Sequence, residues 1–169
     1  MSNASHRYLL LTIIVLTTMI LDQIVKFYIQ QTMRLHETIV VIPGFFHLTY
    51  IRNPGAAFGL LADQGNGFRF VFIVATSVVA VVLLGVLLYN APRDQWLAPV
   101  AISLILGGAF GNLADRIRLG EVVDFLDFFV NGVHWPAFNV ADSAITIGIT
   151  VLMIHFIMEG KTRGQLKSS

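Results

Sequence analysis

Phe70–Tyr89 reads FVFIVATSVVAVVLLGVLLY, twenty residues without a charge. About 20 apolar helical residues cross the roughly 30 Å hydrocarbon core of a bilayer, so this stretch is predicted to span a membrane. Three further runs obey the same rule. Trp96–Ala114 (WLAPVAISLILGGAFGNLA) ends at Asp115 and Arg116. Tyr8–Ile29 opens on the apolar YLLLTIIVLTTMI and carries Asp22, Gln23 and Lys26 in its last third. Val140–Met158 has Asp142 near its start and His155 near its end. The expected fold is an all-α membrane protein, a four-transmembrane-helix bundle with spans near residues 8–29, 70–89, 96–114 and 140–158, forming one domain over residues 1–169.

Composition agrees with lipid as part of the solvent. Of 169 residues 56% are apolar and 12% charged, against about 25% charged in an ordinary soluble domain. Eleven Lys and Arg with ten Asp and Glu are too few to clothe a globule of this size in polar side chains. A net charge of +1 gives no broad basic field, so nucleic acid is not an expected partner. With no cysteine there is no disulfide, no thiolate metal site and no cysteine nucleophile.

Arg7 before an apolar run has the look of a secretory signal, but no small-x-small cleavage site follows and the helical pattern runs on through Asp22 and Lys26. The first run is therefore expected to stay as a span. Four spans put both ends of the chain on one side. The end segments and the loop Asn90–Gln95 are cationic, while the opposite face holds eight of the ten acids; the ends are accordingly expected to be cytoplasmic.

The loop of about residues 35–63 is β-rich. Within it TIVVI (Thr38–Ile42) and FFHLTYI (Phe45–Ile51) flank Pro43-Gly44, a turn dipeptide. A small extracytoplasmic β-sheet on the membrane surface is predicted, with Phe45 and Phe46 in the interface. Between the third and fourth spans, VVDFLDFFV is expected to form a short loop helix of one or two amphipathic turns.

Alternating spans bring one set of polar residues to a single membrane face: Asp22 and Lys26, Arg52 and Asn53, Asn112, Asp115 and Arg116, then Asp124, Asp127, Asn139 and Asp142. Ionisable groups at membrane depth are costly and mark function or pairing. A transporter would hold its charges nearer the midplane. The spans contain neither HExxH nor GxSxG, and no His or Lys stands at an obvious distance from Ser77, Ser103 or Ser143. His155 is 13 residues beyond Asp142, roughly 20 Å along a helix. His36, His47 and His134 show no ligand spacing, and no metal is expected.

Carboxylates remain. Two facing one water can hydrolyse an amide without a cofactor, since close like charges make one keep a proton while the other acts as base. Asp22 has Lys26 one turn on, and Asp115 has Arg116 and Arg118 beside it, which suits both for ion pairs. Asp124 and Asp142 lack a cation within four residues and stand among apolar neighbours, which favours them as the pair. Asp127 is the reserve. Competing structural roles are plain: Asn139 and Asp142 have N-cap and N3 spacing, Arg52-Asn53-Pro54-Gly55 suits an ordinary turn, and Gly107 with Gly111 forms GxxxG, a helix-packing motif.

Taken in order, LDQIVK (21–26), RNPGAAF (52–58), GGAFGNLADR (107–116), GEVVDFLDF (120–128) and FNVADSAITIG (138–148) resemble the sequence blocks of the bacterial lipoprotein signal peptidases, also called signal peptidase II. The resemblance covers about residues 8–158. It implies an aspartic endopeptidase of the bacterial inner membrane, acting near the periplasmic face, that removes signal peptides from diacylglyceryl-modified prolipoproteins. Membrane lipids are its other partners, and a monomer without cofactor is expected. By motif match the catalytic pair is Asp124 and Asp142. The same match gives Asp22, Lys26, Asn53, Gly55, Gly107, Asn112, Arg116, Asn139 and Ala141 roles in shaping the site or holding substrate or the cyclic peptide antibiotic globomycin.

Overall fold

The computed structural model describes residues 3–55, 66–92 and 95–168. Four helices carry the chain, α1 (Asn3–Thr32), α2 (Asn66–Asn90), α3 (Leu97–Leu119) and α4 (Val140–Ser168), each containing a segment long and apolar enough to cross a membrane. The predicted spans lie inside them, except that Trp96 of the third precedes α3 as its N-cap. Residues 56–63 of the predicted loop, including Ala56–Phe58 of the RNPGAAF motif, lie outside the described residues, as does Arg93 of the cationic loop.

Helix α3 is the centre of the bundle, packed against α4, α1 and α2. Small residues let its neighbours approach. A Cβ on Gly107 would stand 2.6 Å from Thr18 Cβ, and one on Gly108 would collide with the Ala141 carbonyl oxygen. Close backbone approach through small residues is how helices gain dispersion contacts where lipid offers no hydrophobic drive. Ala101, Ile102, Ile105 and Leu106 of α3 are buried, whereas Val71, Val79, Val82 and Leu83 of α2 are exposed, as lipid-facing side chains are.

Between helices lie four strands, β1 (Thr38–Ile42), β2 (Phe46–Asn53), β3 (Val122–Val130) and β4 (Val133–His134), paired antiparallel in the order β1-β2-β3-β4. Pro43-Gly44 makes the predicted turn: Gly44 has φ 76° and Phe45 N–H donates to the Ile42 carbonyl. Proline fixes the second turn position and glycine takes the positive φ at the third. Phe45 is exposed and Phe46 half-buried, stacked on Phe128 at 4.6 Å between ring centroids.

The expected loop helix at VVDFLDFFV is corrected by the structure: these residues are strand β3, the interior strand beside β2. Its first four residues are all buried, so the period-two alternation of a half-exposed strand is missing from the sequence. Val123 and Phe125 pack with Ile29, Met33 and Tyr50 into a core that fixes the sheet to the end of α1. Asn131 and Gly132 both have positive φ (51° and 79°) and close the β3–β4 hairpin, the pattern of a two-residue type I′ turn.

Candidate active site

Helix α4 begins inside protein, and its first turn explains much of the site. Asn139 is the N-cap: its Oδ1 accepts the Asp142 N–H at 2.9 Å, and Asp142 Oδ2 accepts the Asn139 N–H at 3.3 Å. This reciprocal capping box satisfies two donors that a helix start otherwise leaves open. A third, the Ala141 N–H, donates to Asp22 Oδ1 at 2.9 Å. The capping role weighed for Asp142 is therefore real. It leaves the carboxylate fixed in direction, not consumed.

Strand β3 supplies Asp124, only 2% exposed. Asn139 Nδ2 donates to its Oδ1 at 2.7 Å and Asn53 Nδ2 to its Oδ2 at 2.9 Å. Asn53 can do so because the chain turns there: its Oδ1 accepts the Gly55 N–H at 2.9 Å, and Gly55 has φ 81°, a conformation that suits glycine. The Asn53-Pro54-Gly55 turn thus aims an amide at Asp124.

Two asparagines tie the carboxylates into one network. Asn112 of α3 donates from Nδ2 to Asp142 Oδ1 at 2.7 Å, while its Oδ1 accepts from Lys26 Nζ at 2.9 Å and from Asn139 Nδ2 at 3.2 Å. Asn139 touches Asp124 through its side chain and Asp142 through its backbone. Each of the four carboxylate oxygens accepts one hydrogen bond from these groups or from Asn53, and each has a second lone-pair direction for a water or substrate.

Burial pushes Asp124 up from 3.8 to about 6, the Asp142 charge adding to the rise; the Asn53 and Asn139 hydrogen bonds and the Lys26 charge oppose it. A carboxyl group so placed exchanges a proton near neutrality.

Deeper in the bundle a saturated ionic cluster stands beside the pair. Lys26 is 1% exposed, with Nζ 2.8 Å from Asp22 Oδ2 and 2.9 Å from Asp115 Oδ2. Both aspartates are fully buried. The pairing of Asp22 with Lys26 agrees with its one-turn spacing. Asp115 also forms an ion pair, but with Lys26 in place of its sequence neighbours: Arg116 Nη1 donates to the Asn112 carbonyl and Arg118 Nη1 to Gln23 Oε1. Arg116, the next residue on the helix, points away from Asp115, and Arg118, one turn on, is taken by Gln23. Gln23, which the sequence reading left without a role, donates to Asp115 Oδ1 at 3.0 Å and to the Gly111 carbonyl at 3.1 Å.

Other predicted residues separate from this network. Gly107 lies a turn deeper, packed on Thr18 and the Val15 carbonyl. Arg116 lines a cavity of about 390 Å³ with Pro54, Arg69, Ile73 and Glu121. The reserve, Asp127, is three residues along β3 and takes the His134 Nδ1 at 2.8 Å, with His47 Nδ1 at 3.6 Å. An odd offset along a strand turns a side chain to the other face. Ser143 Oγ donates to the Asn139 carbonyl, and His155 lies beside Glu159 further along α4. Among the described residues no three His, Asp or Glu side chains form a metal-binding group. Beside Asp142 a groove of about 420 Å³ runs along α4 between Trp135, Phe138, Thr146 and Ile147.

Comparison with known proteins gives the arrangement a context. The family described as Signal peptidase (SPase) II matches residues 14–158. A lipoprotein signal peptidase of Geobacter sulfurreducens is 47% identical, the match covering 92% of this chain and 96% of the relative. One from Syntrophotalea carbinolica is 49% identical over 91% and 93% of the two chains. A solved bacterial membrane enzyme superposes with a TM-score of 0.76 at 36% identity, over 86% of this chain and 91% of that one. Motif order, helix placement and identity along nearly the whole length converge on one assignment: this multi-pass membrane protein belongs to the signal peptidase II family and is a protease.

Proposed function

We propose that this protein is an aspartic endopeptidase that removes the signal peptide from diacylglyceryl-modified prolipoproteins, with Asp124 and Asp142 activating one water. The observation that carries the reading is the shared hydrogen-bond frame, in which Asn139 holds both carboxylates and Asn112 and Asn53 fix one each. Asp142, half-buried at the head of the α4 groove, acts as base and takes a proton from water as the oxygen attacks the scissile carbonyl carbon. Asp124, ionising near 6, gives its proton to the carbonyl oxygen. Collapse of the tetrahedral intermediate breaks the C–N bond: one hydroxyl of the gem-diol returns its proton to Asp124 as the carboxyl group forms, and the proton taken by Asp142 passes to the leaving nitrogen.

The apolar groove along α4 fits a substrate whose acyl chains stay in the bilayer while its peptide reaches the interface. By this reading the enzyme works as a monomeric single domain in the bacterial inner membrane, with cytoplasmic ends and its site near the periplasmic face. Asp22, Lys26, Asn53, Gly55, Gly107, Asn112, Arg116, Asn139 and Ala141 shape that site, and globomycin competes for it. Purified Asp124→Asn and Asp142→Asn variants are expected to insert and fold yet lose release of the signal peptide from a diacylglyceryl-modified precursor by at least about 10³-fold, the scale of an essential acid–base pair. Near-normal turnover by either variant rules out the two-aspartate assignment, and full activity in chelator is expected alongside.

A further inference from the structure

Two buried aspartates outside the proposed reacting pair each hold the backbone one residue before a member of it. Asp22 Oδ1 accepts the N–H of Ala141, which precedes Asp142, at 2.9 Å. Asp115 Oδ2 accepts the N–H of Val123, which precedes Asp124, at 3.2 Å. The same ammonium joins them: Lys26 Nζ lies 2.8 Å from Asp22 and 2.9 Å from Asp115, and spends its third donor on Asn112 Oδ1. An ammonium has three donors and no acceptor, so Lys26 is saturated and has no proton or bond to offer a substrate. Gln23 repeats the link, its Nε2 standing 3.0 Å from Asp115 Oδ1 and 3.3 Å from Asp22 Oδ2.

The lever arms are short and stiff. From Lys26 to either reacting residue the path is one ion pair, one hydrogen bond to backbone and one peptide unit. Lys26 also orients Asn112: with the amide oxygen occupied by Nζ, the amide nitrogen must face Asp142. Gly111 leaves the space, since a Cβ there would stand 2.5 Å from Asp22 Oδ2.

We propose that Lys26 is a positioning residue that sets the separation of the Asp124 and Asp142 carboxylates, by drawing Asp22 and Asp115 together and with them the α4 and β3 backbones. The inference rests on Asp124 and Asp142 being the reacting pair. Separation matters because the repulsion between two carboxylates decides how far apart their proton affinities lie, and so how wide a pH range holds the pair in its singly protonated form. The charged groups around the pair are Asp22 and Lys26 from α1 and Asp115 and Arg116 from α3.

Lys26→Arg tests this, because it keeps the charge and changes the geometry. In the full-length enzyme, cleaving a diacylglyceryl-modified precursor, kcat is expected to fall by about 10²-fold, the scale of a displacement of about 1 Å, with KM unchanged. The bell-shaped pH–rate profile is expected to narrow, because carboxylates held further apart repel less. A role in folding alone lowers the active fraction and leaves the width as it was. A folded Lys26→Arg enzyme with wild-type kcat and wild-type width overturns the proposal. Where Lys26→Arg does not fold, Gln23→Met, a near-isosteric change at a half-buried position, removes the second link and is expected to narrow the bell to a lesser degree; wild-type width there overturns the proposal equally. Asp124→Asn in the same assay separates the two ideas: an active Asp124→Asn enzyme means that the reacting pair was misassigned, an inactive one beside a wild-type Lys26→Arg profile that the spacing idea alone is wrong.

Discussion

Four aspartates meet at one end of the bundle, and they divide by the company they keep. Asp22 and Asp115 share an ammonium buried with them. Asp124 and Asp142 are met at hydrogen-bond distance by side-chain amides and a backbone N–H, all neutral donors. A buried carboxylate bonded to a full-charge partner serves as architecture, because removing either partner would strand the other. A carboxylate held only by neutral donors and facing a like charge can accept a proton close to physiological pH. The same side chain thus becomes a girder or a reagent according to its neighbours.

Removing the cation is the strongest way to break this contrast. Lys26→Met leaves two buried carboxylates without a counter-charge and is expected to cost about 3–5 kcal/mol, read as a fall in thermal stability at pH 7; a melting temperature close to wild type would put the two pairs on the same footing. Next in size is a pH effect of opposite sense. Asp124 ionises near 6 when folded against 3.8 ordinarily, so its proton favours the folded state, and stability present below pH 3.8 is lost as pH rises through 6. At 1.36 kcal/mol per pH unit the loss is about 3 kcal/mol. Asp124→Asn has no such ionisation. Its stability relative to wild type should therefore rise by that amount between pH 4 and 7, and a flat difference curve from denaturant titrations would contradict the assignment. The smallest effect sharpens the comparison within the reactive pair. Asn53→Ala deletes one donor to ionised Asp124, a bond worth about 1.5–3 kcal/mol, and should move the basic limb of the pH–rate profile, where Asp124 loses its proton, upward by about one to two pH units.

Much of this is legible in the sequence. The four spans follow from run length, and the Asp22–Lys26 pair and the Asn139–Asp142 cap follow from helical spacing, which is local. Strand β3 was not legible, because its pairing joins His47 to Asp127 and Asn53 to Val122 across two intervening helices. A strand buried on both faces at its start also carries no alternation to read. The one local cue was Asn131-Gly132, a strong hairpin dipeptide flanked by apolar residues, and it favoured strands over a helix. Chain order sets Asp115 beside two arginines, whereas the cation that meets it, Lys26, comes from another helix and leaves no mark in the local sequence. Gln23 had no signal of its own; its importance appears only when α1 and α3 are set side by side.

Helix α2 is the counterweight. No residue of its most apolar stretch is buried inside the protein, and it packs chiefly on α3. Its letters answer to hydrocarbon and hardly to neighbours, so one apolar string of that length does nearly as well as another. Drift between lineages can accumulate there at little risk, whereas α3, hemmed in on three sides, is left almost no spelling but its own. An evolutionary clock read from these two helices would run at two different speeds within one molecule.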